Sequence, residues 1–273
     1  MLEKAIRLLF ALFPDLRQSI SRRWYDYLSA LDTGTSMLFM NYGYTELNHK
    51  TDELELEAND EEDRYSIQHY HHVASPMDWL GLEALEVGCG RGGGCSYLKR
   101  YLQPKSMIGM DISANAIGFC SRNYSMEGLS FLRGDAEALP FADHAFDVII
   151  NLESSHCYAN VEIFFREVFR VLKPGGHFLY ADFRKSEEID NWRAQLENAG
   201  LELLQGENIT PNVARSLDLD HDRKHKLINQ YIPRILHRPF NAIAGMKGSR
   251  FIYGSFKSGD KIYMSFALRR PAN

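Results

Sequence analysis

The chain has 273 residues, 45% of them hydrophobic, with a formal net charge of −5 and four cysteines. That is enough apolar material for one large core, and it carries no general basic excess for a nucleic acid partner. Cys89, Cys95, Cys120 and Cys157 form no CxxC pair and fit small packing residues in a reducing compartment; no apolar run reaches membrane-span length, so a cytoplasmic protein is expected.

Residues 1–60 read as an N-terminal helical or lid segment. Leu8, Leu9, Leu12, Leu16 and Ile20 fall at helical spacing, with Arg7, Arg17, Arg22 and Arg23 nearby. Such a helix either packs on the domain or rests on a membrane surface, and Pro14 interrupts it. Arg7 breaks the apolar run and no small-residue cleavage site follows, which argues against a secretory signal. An acid-rich loop, residues 46–63, leads to a helix expected over 61–76, with Asn59 or Asp60 as its cap. That helix carries "HYHH". His69 and His72 share a face, His71 does not, and no third ligand completes a site, so no metal is expected.

Strands and helices then alternate. Strands are expected over 83–89, 106–113, 129–136, 146–155, 177–183 and 201–209. Helices are expected from Gly92, from Ala114, over 160–172 (closed by "KPGG") and over 187–200. The order predicts a Rossmann-like α/β fold: a seven-stranded, mostly parallel sheet with helices on both faces. The tail from Thr210 is helical and rich in His, Arg and aromatics, and "KIYMSFALRR" supplies a last, antiparallel strand. Residues 61–273 form the main domain, with 209–250 as a helical lid over the acceptor.

The first strand runs into "EVGCGRGGG", residues 86–94, with glycines at 88, 90, 92, 93 and 94. Gly88, Gly90 and Gly93 satisfy the G-x-G-x-x-G spacing that brings backbone close to a ligand. Asp111 ends the second strand, where a carboxylate accepts from ribose hydroxyls. Glu86 stands where an acid repels a pyrophosphate but suits a ligand carrying an ammonium and a sulfonium. Asp135 and Ala136, after the third strand, are placed for an adenine. Together with "VLKPGG" these motifs resemble the class I S-adenosylmethionine-dependent methyltransferases over residues 65–200. More closely, "NYGY", "LELEANDEEDRYSIQHYHH", "RGDAEALPF", "NLESSHCY" and "VLKPGGHFLYADFR" resemble the phthiotriol/phenolphthiotriol dimycocerosate methyltransferases from about residue 38 to 190. The resemblance implies methylation of a hydroxyl on a lipid or polyketide, with S-adenosylmethionine as cofactor. The cofactor-contacting set expected from these motifs is Glu86, Gly88, Cys89, Gly90, Gly93, Asp111, Ile112, Asp135, Ala136, Asn151, Glu153 and Tyr44. Tyr42 and Tyr44 are expected to close over the cofactor's carboxylate, as tyrosines do in sterol and cyclopropane-forming relatives.

A hydroxyl acceptor must lose a proton, and a histidine is the usual base. His156, after the fourth strand, is the expected base, and Asp182, ending the fifth, is expected to orient it. Related sugar O-methyltransferases have a second histidine where this chain has Cys157. Rivals are a C-methyltransferase of sterol or quinone type, in which Glu153 would matter more, an N-methyltransferase, and a cofactor-binding scaffold without turnover. The expected partner is a lipophilic small molecule, with membrane contact through the N-terminal helix as a further possibility and no heptads to indicate a coiled coil.

Overall fold

A computed structural model of the chain describes residues 34–47 and 54–272. The expected N-terminal helix and its membrane contact fall on residues 1–33, outside the described residues.

Seven strands form one sheet: β1 Glu83–Val87, β2 Ser106–Asp111, β3 Leu129–Arg133, β4 Phe146–Leu152, β5 Leu172–Lys185, β6 Glu202–Asn208 and β7 Lys261–Arg269. Their spatial order is β3-β2-β1-β4-β5-β7-β6. β1 pairs in parallel with both β2 and β4, and β5 extends the parallel run; β7 lies antiparallel between β5 and β6. Strands buried on both faces need apolar residues at every position. "VII" in β4 and "FLYA" in β5 supply them by sending successive side chains to opposite layers. Val148, Ile150, Leu179 and Ala181 join one core layer, while Ile149, Phe178 and Tyr180 join the other.

The helices are α1 Arg64–Ala74, α2 Gly93–Tyr97, α3 Ala114–Asn123, α4 Val161–Val171, α5 Ile189–Asn198, α6 Thr210–Leu219, α7 His221–Tyr231, α8 His237–Ile243 and α9 Tyr253–Ser258. α4 shows how local sequence sets an element. The Asn160 side chain accepts from the Glu162 and Ile163 amides, and Phe164, Phe165, Val168 and Val171 form its buried stripe. α6 to α9 are all inserted between β6 and β7.

Three local expectations are corrected. Asp60 does not cap α1, whose first turn is a 3-10 helix over Glu61–Asp63; its carboxylate instead takes Arg100 at 2.7 and 2.8 Å. "KPGG" does not stand outside the strand. β5 already begins at Leu172, opposite Phe146, and bulges through Lys173–Gly176 before His177 meets Val148. α9 was not foreseen: "YGSFKS" lies between turn-like glycines, and only its packing on α6 and β7 marks it as a helix.

Candidate active site

β1 has parallel neighbours on both sides that continue in opposite directions, so a crevice opens beyond the carboxyl ends of β1 and β4. Two adjoining cavities occupy it, about 1010 and 1070 Å³ with their open mouths included. Phe39, Met40, Asn41, Arg91 and Glu153 line both, so these five residues mark the passage between them.

The first cavity is walled by the glycine loop. The Gly88 and Cys89 amides donate to the Met110 carbonyl at 2.8 and 3.0 Å, which ties the loop to the end of β2. Asp111 is held by the same loop: its oxygens accept from the Gly90 amide at 2.9 Å and the Ser113 amide at 2.8 Å. Ile112, Ala116, Asp135 and Ala136 complete a lining that mixes apolar side chains with Asn41, Arg91, Ser113, Ser154 and the Asp111, Asp135 and Glu153 carboxylates. The Asp111 carboxylate beside Ile112 and Ala136 fits a ribose diol next to an adenine.

The second cavity holds His156. Its Nδ1 lies 2.9 Å from Asp182 Oδ1, and its backbone amide donates to Asp182 Oδ2 at 2.8 Å. Asp182 is fully buried and also accepts from the Ser155 hydroxyl (2.6 Å) and the Phe183 amide (2.8 Å), with Arg184 at 3.3 Å. Burial works to raise the Asp182 pKa, but His156, Arg184 and these hydrogen bonds hold it far below the usual carboxylate range. Burial likewise works to lower the His156 pKa. Cys157 and Asp182 outweigh it and lift His156 to about 10. The imidazole packs at a tilt against Phe183 with centroids 4.6 Å apart, and Nε2 is the ring nitrogen not engaged by Asp182.

Glu153 sits at the junction with φ +55°, a left-handed conformation uncommon for a residue with a Cβ. The turn carries its carboxylate to the Tyr42 amide (2.9 Å) and the Tyr263 hydroxyl (3.0 Å). Burial pushes its pKa up to about 8, against the Tyr42 amide bond and the charges of His156 and Lys224. Lys224, from α7, lines the second cavity and donates to the Tyr42 carbonyl at 3.1 Å. Its nearest carboxylate, Asp220 at 3.7 Å, is already held by Arg223 through both oxygens. Arg223 also lines this cavity, and its far wall is apolar: Leu227, Ile228, Ile232, Phe240, Ile243 and Ala244.

Of the residues expected from sequence, Gly88, Cys89, Gly90, Asp111, Ile112, Asp135, Ala136 and Glu153 line the first cavity, and His156 lines the second with Asp182 behind it. Four others do not reach a cavity wall. Glu86 is fully buried, and its oxygens accept from the Tyr70 hydroxyl (2.6 Å) and the Cys95 thiol (2.8 Å); burial raises its pKa to about 7. Tyr70 therefore presents the wall that Glu86 was expected to present. Gly93 serves close packing instead: a Cβ there would lie 2.9 Å from the Leu38 carbonyl oxygen. Asn151 braces the loop after β4, donating to the Val87 carbonyl at 2.7 Å and lying within 2.7 and 2.9 Å of Ser154 and Tyr158. Tyr44 stacks on His72 at 4.2 Å, away from both cavities, whereas Tyr42 faces the second cavity rather than the first. Sequence reasoning missed the Leu38–Asn41 wall, Arg91 and Lys224. The apolar "MLFM" directly before "NYGY" was the only signal for the wall. Among the described residues no group of three or more His, Cys, Asp or Glu is placed to hold a metal.

Residues 85–180 match a methyltransferase domain family. The chain is 39% identical over 232 residues to a probable phthiotriol/phenolphthiotriol dimycocerosates methyltransferase 2 of Mycobacterium ulcerans (strain Agy99), covering 85% of this chain and 89% of that one. It is 35% identical over 272 residues to a fatty-acid O-methyltransferase of Mycolicibacterium smegmatis, covering 100% of this chain and 97% of that one. A solved geranyl diphosphate C-methyltransferase from Streptomyces coelicolor A3(2), in complex with Mg2+, geranyl diphosphate and S-adenosyl-L-homocysteine, matches with a TM-score of 0.65 at 16% identity, covering 93% of this chain and 97% of that one; at that identity the likeness is one of fold. With this glycine loop, this strand order and these relatives, the chain belongs to the class I S-adenosylmethionine-dependent methyltransferases, in the family of the phthiotriol/phenolphthiotriol dimycocerosates methyltransferases.

Proposed function

We propose that the chain methylates a hydroxyl oxygen of a lipophilic acceptor held in the second cavity, with His156 taking the hydroxyl proton. The observation that carries this reading is the His156–Asp182 pair on the wall of an apolar cavity that joins the cofactor cavity at Glu153. Asp111 and the Gly88–Gly90 backbone hold the adenosine half of the cofactor, and Asp135 and Ala136 close over the adenine. When bound, S-adenosylmethionine supplies the methyl group: the C–S bond breaks with its electron pair left on sulfur as the acceptor oxygen forms the C–O bond. The apolar lining excludes water and aligns the acceptor, which supplies much of the rate enhancement in such transfers. Asp182 fixes the His156 ring and stabilises it once protonated.

The pH dependence follows from the raised His156 pKa of about 10. Only the neutral ring accepts a proton, so activity rises with pH toward that value. A cation in the adjoining cavity disfavours the imidazolium and brings the midpoint down in the cofactor complex. The expected result is a kcat/KM that climbs about tenfold per pH unit from pH 6 to 8 on a hydroxyl acceptor. A flat profile would remove His156 as the base.

A second reading has its own observation. The cavity presents three cationic groups, His156 with its raised pKa, the Arg223 guanidinium and Lys224, whose pKa burial lowers against the pull of Asp220 and Glu153, and the M. smegmatis relative named for fatty acids spans the whole chain. A carboxylate acceptor needs no base and would be drawn to these groups. Lys224→Met separates the two: KM is expected to change less than about threefold for a hydroxyl acceptor and to rise at least about tenfold for a carboxylate one. Methyl-labelled S-adenosylmethionine, incubated with the protein and a lipid extract, tests the shared premise. Label must enter the organic phase, and alkali then releases it from a methyl ester but not from a methyl ether.

A further inference from the structure

We propose that the cap over the second cavity docks on an anionic lipid bilayer through Arg234, Ile235 and Arg238. From Arg223 to Gly259 the sequence holds eight lysines and arginines and no aspartate or glutamate, in a chain whose net charge is −5. The positive charge is therefore concentrated in the segment that covers the acceptor cavity. At the junction of α7 and α8 it meets apolar surface. Ile235 is 88% exposed, more than any other large apolar side chain among the described residues. Arg234 and Arg238 flank it, both exposed, and among the described residues neither has a carboxylate within ion-pair distance. This patch exposes an isoleucine, which costs solvation in water, between two arginines that have no carboxylate partner among the described residues. It suits an interface that offers phosphate oxygens at the surface and hydrocarbon just below. A nucleic acid backbone would use the arginines but give nothing to Ile235.

The patch is continuous with the cavity. Ile228, Ile232 and Met246 form a small separate core with Leu236, Phe240 and Ala244, directly behind the 3-10 turn Arg234–Leu236. Ile232, Phe240 and Ala244 from this same unit line the second cavity beside Ile243, which is 44% exposed. The cavity wall and the docking face are thus two sides of one thin helical layer. A bilayer seated on it would lie next to the route into the cavity. This docking does not depend on which oxygen is methylated, and vesicle binding is read without turnover.

The test is co-sedimentation of the full chain with vesicles of equal parts phosphatidylglycerol and phosphatidylcholine, against phosphatidylcholine alone. Binding to the anionic vesicles alone is expected, weakening as salt screens it. The double substitution Arg234→Glu with Arg238→Glu should weaken that binding at least tenfold, and Ile235→Asp should weaken it further. Turnover on a short water-soluble acceptor should stay within twofold, because these residues line neither cavity. The proposal is overturned if the chain ignores anionic vesicles or binds neutral ones equally well. Undiminished binding by the charge-reversed protein would also overturn it, by placing the contact elsewhere on the chain. So would heparin binding as tight as vesicle binding with no loss in Ile235→Asp, which would assign the surface to an acidic polymer.

Discussion

Replacing His156 with alanine is expected to lower turnover on a hydroxyl acceptor at least about a hundredfold while leaving S-adenosylmethionine affinity within about threefold, consistent with the usual contribution of a general base. The split between the two constants comes from geometry. His156 lines the second cavity and not the first, so its loss leaves the glycine loop and Asp111 untouched. Imidazole added to the His156→Ala protein should restore part of the rate, since the hole it fills is already polarised by Asp182. Equal loss of cofactor affinity would mean that His156 shapes the site instead of taking a proton. Asp182 is a poorer target for the same question. Its buried carboxylate holds Ser155, His156, Phe183 and Arg184 together, and removing it strands Arg184. Breaking a buried charge pair in that way costs about 3–5 kcal/mol, enough to confuse catalysis with unfolding.

The parts of this molecule legible in sequence are those set by local periodicity. Apolar runs of strand length alternate with helical stripes from Glu83 to Asn208, and that pattern implies a mostly parallel sheet covered by helices. Candidate residues at or near the carboxyl ends of strands, such as Asp111, His156 and Asp182, could be singled out because the topology of a parallel sheet collects strand ends on one edge. What failed was anything decided by a partner far along the chain. Glu86 lies on the right strand, but Tyr70 from α1 and Cys95 from α2 take both its oxygens and turn it into a buried brace. Tyr44 was assigned by analogy to the cofactor, yet His72 offers it a ring to stack on. Lys224 sits in a helix whose sequence reads as ordinary charged surface; only its approach to the Tyr42 carbonyl, 182 positions away, marks it as part of the cavity.

Gly88→Ala should be the most damaging single-methyl change in the cofactor cavity, with S-adenosylmethionine affinity falling at least about a hundredfold. Two costs combine there. Gly88 has φ +77°, where a Cβ is strained wherever it points. That Cβ would also lie 2.3 Å from the Ser154 hydroxyl oxygen and 2.6 Å from its Cβ. Ser154 cannot turn away freely, because Asn151 and Tyr158 hold its hydroxyl at 2.7 and 2.9 Å. The loop must shift instead, and with it the Gly90 amide that positions Asp111. Strain and overpacking together are expected to remove about 2–4 kcal/mol of stability. In a chain of this size that corresponds to a fall in Tm of roughly 5–12 °C. Gly175→Ala separates the two costs. Gly175 has φ +80°, but nothing stands within 4 Å of its missing Cβ. It should therefore lose only about 1 kcal/mol and leave cofactor affinity unchanged. Combining Gly88→Ala with Ser154→Gly should recover part of the affinity, because the clash goes and the backbone strain stays. If Gly88→Ala binds cofactor as well as the parent, the loop is not the surface against which the cofactor lies, and the assignment of the first cavity falls with it.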